Sequence, residues 1–467
     1  MPAWLSKIFH HWPTMMPWRR PAEASSTTPR CAKPIAVSAP RRPRRMAAAD
    51  RSWPASSTRS RPTAPVLGSP ARTARAGWPE RARLRRYPAL ALKGFSTMMS
   101  RVRVRIRAFL ASALFVLPAT PAVAQPASEA LSDAAAQPPL VIALGSCNGQ
   151  EQDQGYWDVI AETAPDLFLF LGDNVYGDRV VDGERQSSPD LLRSAYDRFA
   201  QSEPYARFSR SVPVYPVWDD HDYGVNDAGA DHPFKDQAKQ IFLDFFDFAE
   251  AAQLADRDGV YYAIERQHGA HRVQILMLDT RWNRSALART EGWIEGRLGA
   301  YVADPDPAKT VLGAQQEAWL AEQLARPADL RVIASSIQVI AEGHHFERWG
   351  NLPAARQRLY DLIDRSGAEN VVLVSGDRHA GGLYRLDGAA AYPLYELTSS
   401  SLNRGRAADP DDEFGPHQMT RLYGPENFGL ITVDWAAGVV SLDLHDAGHG
   451  RRVRGLTVPL ADLTAGR

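Results

Sequence analysis

Cysteine, net charge and long apolar runs are all scarce in this sequence, and each scarcity excludes something. The 467 residues include two cysteines, Cys31 and Cys147, too few for a disulfide framework. The 54 Lys and Arg are matched by 54 Asp and Glu, so the chain as a whole carries no charge that would mark it as a nucleic-acid binder. The apolar stretch Ala108 to Leu117 is too short for a permanent membrane helix, and no second run approaches that length. No internal repeat is visible, which argues against a solenoid.

The neutrality hides two unlike pieces. Residues 1–124 hold 23 basic and 3 acidic side chains, whereas residues 125–467 hold 31 basic and 51 acidic ones. The acidic character of the second piece argues against a nucleic-acid partner for it. Where the character changes, Arg101, Arg103, Arg105 and Arg107 precede the apolar stretch, Pro118 follows it, and Ala122-Val123-Ala124 precede Gln125. That order reads as a secretory signal peptide over 98–124, with export to the periplasm or the outside after cleavage near Ala124. Residues 1–97, rich in Arg, Pro, Ser and Ala, cannot bury enough surface to form a packed domain. They read either as a basic tail that binds nucleic acid or anionic lipid or as an extension upstream of the true start. After a short linker over 125–138, residues 139–467 are expected to fold, with Cys147 as their single thiol.

Short apolar runs then alternate with helical periods. Leu140 to Leu144, Leu167 to Leu171, Val212 to Val217, Val273 to Leu278, Val332 to Ser335 and Val371 to Val374 read as buried strands. Helices are predicted at Trp157 to Thr163, Leu191 to Phe199, Lys235 to Phe248, Ala314 to Leu324 and Ala354 to Ile363. Strands at shorter spacing follow Asp377, at Gly382 to Leu386, Tyr392 to Leu397, Phe428 to Val433 and Val439 to Leu444. The pattern predicts an α/β layered domain ending in a more antiparallel sheet, with long loops at 286–309 and 403–425.

Four of those strands run into residues with metal-ligating side chains: Gly145-Ser146-Cys147-Asn148, Gly172-Asp173-Asn174-Val175-Tyr176, Asp219-Asp220-His221-Asp222 and Gly376-Asp377-Arg378-His379. Open α/β sheets place their ligands at that carboxyl edge. One Gly-Asp after a strand is a turn; four ends bearing Cys, Asp, Tyr and His describe a site.

In their order along the chain, GSCN (145–148), PDLFLFLGDNVYGD (165–178), VWDDHDYGVND (217–227), LDTR (278–281) and SGDRH (375–379) resemble the PhoD-like alkaline phosphatases and phosphodiesterases, a branch of the metallophosphoesterases. Gly313, Gln316, Trp319 and Leu320 fit the same pattern, and the resemblance spans about residues 139–445. It implies an α/β/β/α sandwich of two mixed sheets flanked by helices. It also implies Fe³⁺ held by Cys147, Asp173 and Tyr176 with His379 close by, and Ca²⁺ held by Asp173, Asp220 and Asp377. Thiolate and tyrosinate suit a trivalent transition metal, and clustered carboxylates suit Ca²⁺. With two metals to activate water, no side-chain nucleophile is needed; Asp220 and His221 are the expected catalytic pair, with His221 protonating the leaving oxygen. The expected partner is a small phosphoester, monoester or diester, contacted by Asn174, Asn226, Arg281 and Arg378. The oligomeric state stays open.

Plainer alternatives stand beside these roles. Tyr176 could be a core tyrosine, Asp219, Asp220 and Asp222 a solvated loop, Arg281 and Arg378 structural ion-pair partners, and His344 and His345 either structural or cleft-lining. Two rival functions remain: a hydrolase with Cys147 as nucleophile on a Gly-x-Cys-x-Gly turn and His379 as base, and a non-catalytic calcium-binding surface protein.

Overall fold

A computed structural model describes residues 137–292, 294, 299–406 and 413–466. The basic segment 1–97, the signal-like segment 98–124 with its cleavage point, and nearly all of the linker lie outside the described residues.

The chain begins with β1 (Leu140–Gly145), α1 (Tyr156–Glu162), β2 (Leu167–Leu171), the hairpin β3 (Asp178–Val181) and β4 (Glu184–Ser187), α2 (Pro189–Phe199), α3 (Glu203–Ser211) and β5 (Val214–Val217). It continues through α4 (Asp220–Tyr223), α5 (Lys235–Phe245), β6 (Tyr262–His268), β7 (His271–Met277), α6 (Gly313–Leu324), β8 (Leu330–Ala334) and α7 (Pro353–Ser366). It ends with β9 (Val371–Ser375), β10 (Gly382–Leu386), β11 (Leu394–Thr398), β12 (Asn427–Asp434), β13 (Val439–Asp446) and β14 (Arg452–Pro459).

Two six-stranded sheets form the centre, ordered β14-β13-β12-β1-β2-β5 and β10-β11-β9-β8-β7-β6. Within the first, β1, β2 and β5 are parallel and β12, β13 and β14 antiparallel. Within the second, β7, β8, β9 and β11 are parallel, with antiparallel β6 and β10 at the edges. The sheets pack face to face, because a Cβ built on Gly429 of β12 would lie 3.1 Å from Leu397 of β11, and one built on Gly381 would lie 2.3 Å from Leu444 of β13. A side chain at either position would have to displace those leucines. The fold is thus an α/β/β/α sandwich of mixed sheets.

The outer faces are covered by aromatic packing. Trp157 of α1 is buried against Phe168 and Phe170 of β2 and Phe208 of α3, with ring centroids 5.0–5.7 Å apart, distances at which edge-to-face contact adds to burial. On the second sheet, Trp319 of α6 meets Tyr261 at 4.9 Å. Strands β2, β8 and β9 are buried at every residue, which is why they read as unbroken apolar runs.

The structure corrects several boundaries. The helix expected over 235–248 stops at Phe245, because Phe246 turns extended and packs against Phe242 and Phe170. Helix α3 escaped notice because Phe208 is its single buried residue, although Ser202 caps it and Pro204 lies in its first turn. Strands β6 and β14 and the β3–β4 hairpin were also missed; β14 is an edge strand with little buried surface. The described parts of 286–309 and 403–425 contain no helix or strand. Among the described residues no helix is long and apolar enough to cross a membrane.

Candidate metal centre

The parallel strands of both sheets deliver their carboxyl ends to one place. Cys147 follows β1, Asp173 follows β2, Asp219, Asp220 and His221 follow β5, and Asp377 and His379 follow β9. Cys147, Asp173, Asp377 and His379 all adopt positive φ, between 50° and 65°. Four non-glycine residues in this sparsely populated conformation mark a site where surrounding structure dictates the backbone. Gly172 has φ +92° and lies against Asp219, where a Cβ would come within 2.5 Å, so glycine is required for the β2 and β5 ends to sit side by side.

The donors converge. The Cys147 Sγ is fully buried, 3.0 Å from Ser400 Oγ and 3.3 Å from Ser146 Oγ. Ser400 Oγ also accepts the backbone N–H of His379 at 2.8 Å. The Tyr176 hydroxyl donates to Asp173 Oδ2 at 3.0 Å and lies 3.0 Å from His379 Nε2. Ligand atoms of Cys147, Asp173 and His379 fall within 4.8 Å of one another, as do those of Asp173, Asp220 and His221, of Asp219, Asp220 and Asp377, and of Asp220, Asp227 and Glu347. Asp173 recurs in two of these groups and Asp220 in three, so both sit where ligand clusters meet. His221 lines the cavity with its Nδ1 2.7 Å from Asp178 Oδ1 and its Nε2 3.9 Å from Asp220 Oδ1.

Burial raises the pKa of several of these groups. Burial first, then the Asp173 carboxylate, pushes the Cys147 thiol well above its usual range. Burial and the nearby carboxylates of Asp220 and Asp219 do the same to Asp173, and burial with Asp219 and Asp220 raises Asp377. Burial followed by Asp173 raises Tyr176. His379 is pushed down to about 3 by burial and by Arg404, leaving a neutral imidazole able to ligate. His221 behaves oppositely: burial lowers it, but Asp220 and Asp178 outweigh burial and raise it. Asp220 Oδ1 and Asp219 Oδ2 are buried without a hydrogen-bond partner among the described residues. Unpaired buried carboxylate oxygens facing other carboxylates are costly unless a cation joins them.

A cavity of about 380 Å³ opens above these residues, with Asp220, His221, Asp377 and His379 on its floor. The family model of the PhoD-like phosphatases matches residues 142–446. The chain belongs to that family. The Bacillus subtilis (strain 168) protein "Alkaline phosphatase D" is 24% identical over 298 residues, which are 57% of this chain and 49% of the relative. The chain therefore spans about half the length of the curated relative it matches. A solved structure, "Structure of PhoD", superposes with a TM-score of 0.54 at 19% identity, covering 69% of this chain and 72% of the other, a likeness of fold.

Within this PhoD-like frame, two expected substrate contacts, Arg281 and Asn174, are not among the residues lining the cavity. Arg281 is fully buried; its Nε donates to Asp219 Oδ1 at 2.5 Å and its Nη1 to Glu347 Oε2 at 2.6 Å and to the Ala228 carbonyl at 3.3 Å. Its fork is consumed by carboxylates beneath the cavity. Asn174 is also fully buried, its amide donating to the Val217 carbonyl and to Asp222. Asn226 and Arg378 do line the cavity. The solvated-loop alternative fails, since Asp219, Asp220 and Asp222 are at most 2% exposed. Asp222 accepts the N–H groups of Asp219 and Asn174, fixing the turn after β5. His344 is bound to Gln338 at 2.8 Å, and neither it nor His345 lines the cavity.

Glu347 was missed, although it stands two residues after His345. Arg281 and Arg284 hold it from below, and it joins Asp220 and Asp227. Only the fold could reveal it, because its segment follows no strand directly. Asp178 and Arg404 were also passed over: Asp178 orients His221, and the Arg404 guanidinium lies 3.8 Å from the centre of the Tyr176 ring.

Proposed function

We propose that this chain is an exported, metal-dependent phosphoesterase that hydrolyses phosphomonoesters, phosphodiesters or both. Residues 139–467 form its catalytic domain, behind a signal peptide over 98–124. The observation that carries the reading is the convergence of Cys147, Asp173, Tyr176 and His379 beside a second, all-oxygen cluster.

The donor sets fit two kinds of ion. A thiol, a phenol, a carboxylate and a neutral imidazole together favour iron, whereas Asp219, Asp220, Asp377, Asp227 and Glu347 favour a hard cation such as Ca²⁺. The orphaned oxygens of Asp219 and Asp220, and the upward shifts of Cys147, Asp173 and Asp377, are what a cluster built to hold cations looks like without their charge. When bound, the ions supply Lewis acidity that activates water and neutralises charge on the phosphoryl group. The protein's own residues do the rest. Asp178 holds His221 by Nδ1 and, with Asp220, raises the pKa of the imidazole. A proton at Nε2 can then pass to the leaving oxygen as the ester P–O bond breaks, while the water that forms the new P–O bond gives up a proton to solvent. Arg378 and Asn226 in the cavity wall hold the phosphoryl oxygens. Arg281 and Asn174 act below, fixing Asp219 and the β5 turn.

The cysteine-nucleophile reading has less support. A nucleophile needs a depressed pKa and access, whereas Cys147 is fully buried with its thiol raised, and the next helix begins only at Tyr156. Metal analysis of protein purified without chelators, paired with assays on a monoester and a diester, tests the proposal. Iron with a hard divalent ion and ester turnover are expected; a metal-free protein hydrolysing esters at full rate would overturn it.

A further inference from the structure

The floor and the outer wall of the cavity carry opposite charge. The floor is the carboxylate cluster, suited to cations. Arg289, Arg378 and Arg406 line the wall, and Arg404 lies beside it over Tyr176. Arg378 and Arg406 share the single carboxylate of Glu413, Arg406 at 3.0 Å. Arg289 and Arg404 make no ion pair among the described residues; Arg289 lies 5.2 Å from the centre of the Tyr301 ring. Among the described residues, the one ion-pair partner of these four guanidiniums is Glu413. An arginine stacked on a ring keeps its N–H edge free for an anion.

These groups are not equally placed for the scissile phosphoryl. Arg378 is 5% exposed and next to Asp377, so it is the part of the wall nearest the phosphoryl site. Arg289 is exposed, and the Arg406 side chain keeps a third of its surface accessible. Tyr301 separates Arg289 from the carboxylates, because its hydroxyl reaches Asp227 Oδ2 at 2.6 Å while its ring carries the arginine. A simple alkyl or aryl leaving group would bring no anion to Arg289, nor to Arg406, which has only a share of the Glu413 carboxylate.

We infer that Arg289 and Arg406 form an anion subsite for a second phosphate or carboxylate on the leaving group. The preferred substrates are then phosphoesters whose leaving group is itself anionic. This rests on the phosphoesterase reading and names its substrate class. Arg289 is a specificity-determining residue, remote from the reacting atoms.

The test compares kcat/KM for phenyl phosphate, 4-carboxyphenyl phosphate and 1,4-phenylene bisphosphate, which separates carboxylate from phosphate as the second anion. The holoenzyme should prefer at least one of the two substituted esters by roughly tenfold or more, the scale of a charge-assisted contact. Arg289→Gln should erase that preference and leave phenyl phosphate turnover unchanged, and Arg289→Lys should restore part of it. Equal kcat/KM for all three esters, or an equal loss on all three in Arg289→Gln, would overturn the subsite. Binding of phenylphosphonate and 4-carboxyphenylphosphonate, neither of which is hydrolysed, reads the same difference without turnover. If no ester is turned over but the carboxylated phosphonate binds more tightly through Arg289, the subsite stands and the phosphoesterase reading falls. Equal phosphonate binding together with equal ester kinetics rejects the subsite alone.

Discussion

Asp178 holds His221 by its Nδ1 at 2.7 Å while sitting at the first residue of an exposed hairpin. The same carboxylate accepts the Asn226 N–H at 3.2 Å and the Arg185 guanidinium at 3.1 Å. A group at the foot of a solvent-facing hairpin thereby fixes which imidazole nitrogen faces the cavity.

Removing that carboxylate should change both rate and pH dependence. His221 is raised by Asp220 and Asp178, so as a general acid it is active below its pKa and its contribution is lost as pH rises through that value. Asp178→Asn lowers the pKa, so the alkaline limb of kcat should move to lower pH. The rate should fall about 10- to 100-fold for an ester with an alkyl leaving group and much less for 4-nitrophenyl phosphate, whose leaving oxygen needs no proton. Unshifted profiles on both substrates would remove His221 from the role of acid.

Cys147→Ser is expected to lower bound iron and activity together, and Cys147 in the loaded protein should resist iodoacetamide. The relevant measurement is elemental analysis on the same sample as the assay. Full metal content with dead chemistry would favour a nucleophilic cysteine instead.

If tyrosinate or thiolate ligates ferric iron, the purified protein absorbs visible light. Tyr176→Phe, which removes the oxygen lying 3.0 Å from both Asp173 and His379, should shift or abolish the band. A colourless, active wild-type protein would refute the iron assignment.

Asp377→Asn keeps shape and removes charge from a cluster that includes Asp219 and Asp220. Activity should fall by an order of magnitude or more and require higher calcium, with the circular dichroism spectrum unchanged. Unaltered turnover would place Asp377 outside the site.

Arg281→Leu should act on stability, since it leaves Asp219 without its cation in the interior and Glu347 with Arg284 alone. Breaking a buried pair from one side costs about 3–5 kcal/mol, readable as a lower urea midpoint of the metal-free protein. A stable variant with a raised KM would return Arg281 to the role of substrate clamp.

Much of this protein was legible along the chain. Strands buried on both faces, such as Leu167–Leu171 and Val371–Ser375, appear as unbroken apolar runs, and the residues just beyond them must lie at the sheet edge whatever the rest of the fold does. Cys147, Asp173, Tyr176, Asp220, His221, Asp377 and His379 could be named because covalent proximity to a strand end fixes their position. What the chain could not determine was partnership. Arg281 sits at the end of β7 and shares every local sign of a site residue, yet its guanidinium turns inward to Asp219, 62 positions away, and to Glu347, 66 positions away. Glu347 follows no strand, and it enters the cluster only because two buried arginines hold it there. Such choices depend on which side chains meet across the two sheets and on how buried charge is compensated, and only the folded structure decides them.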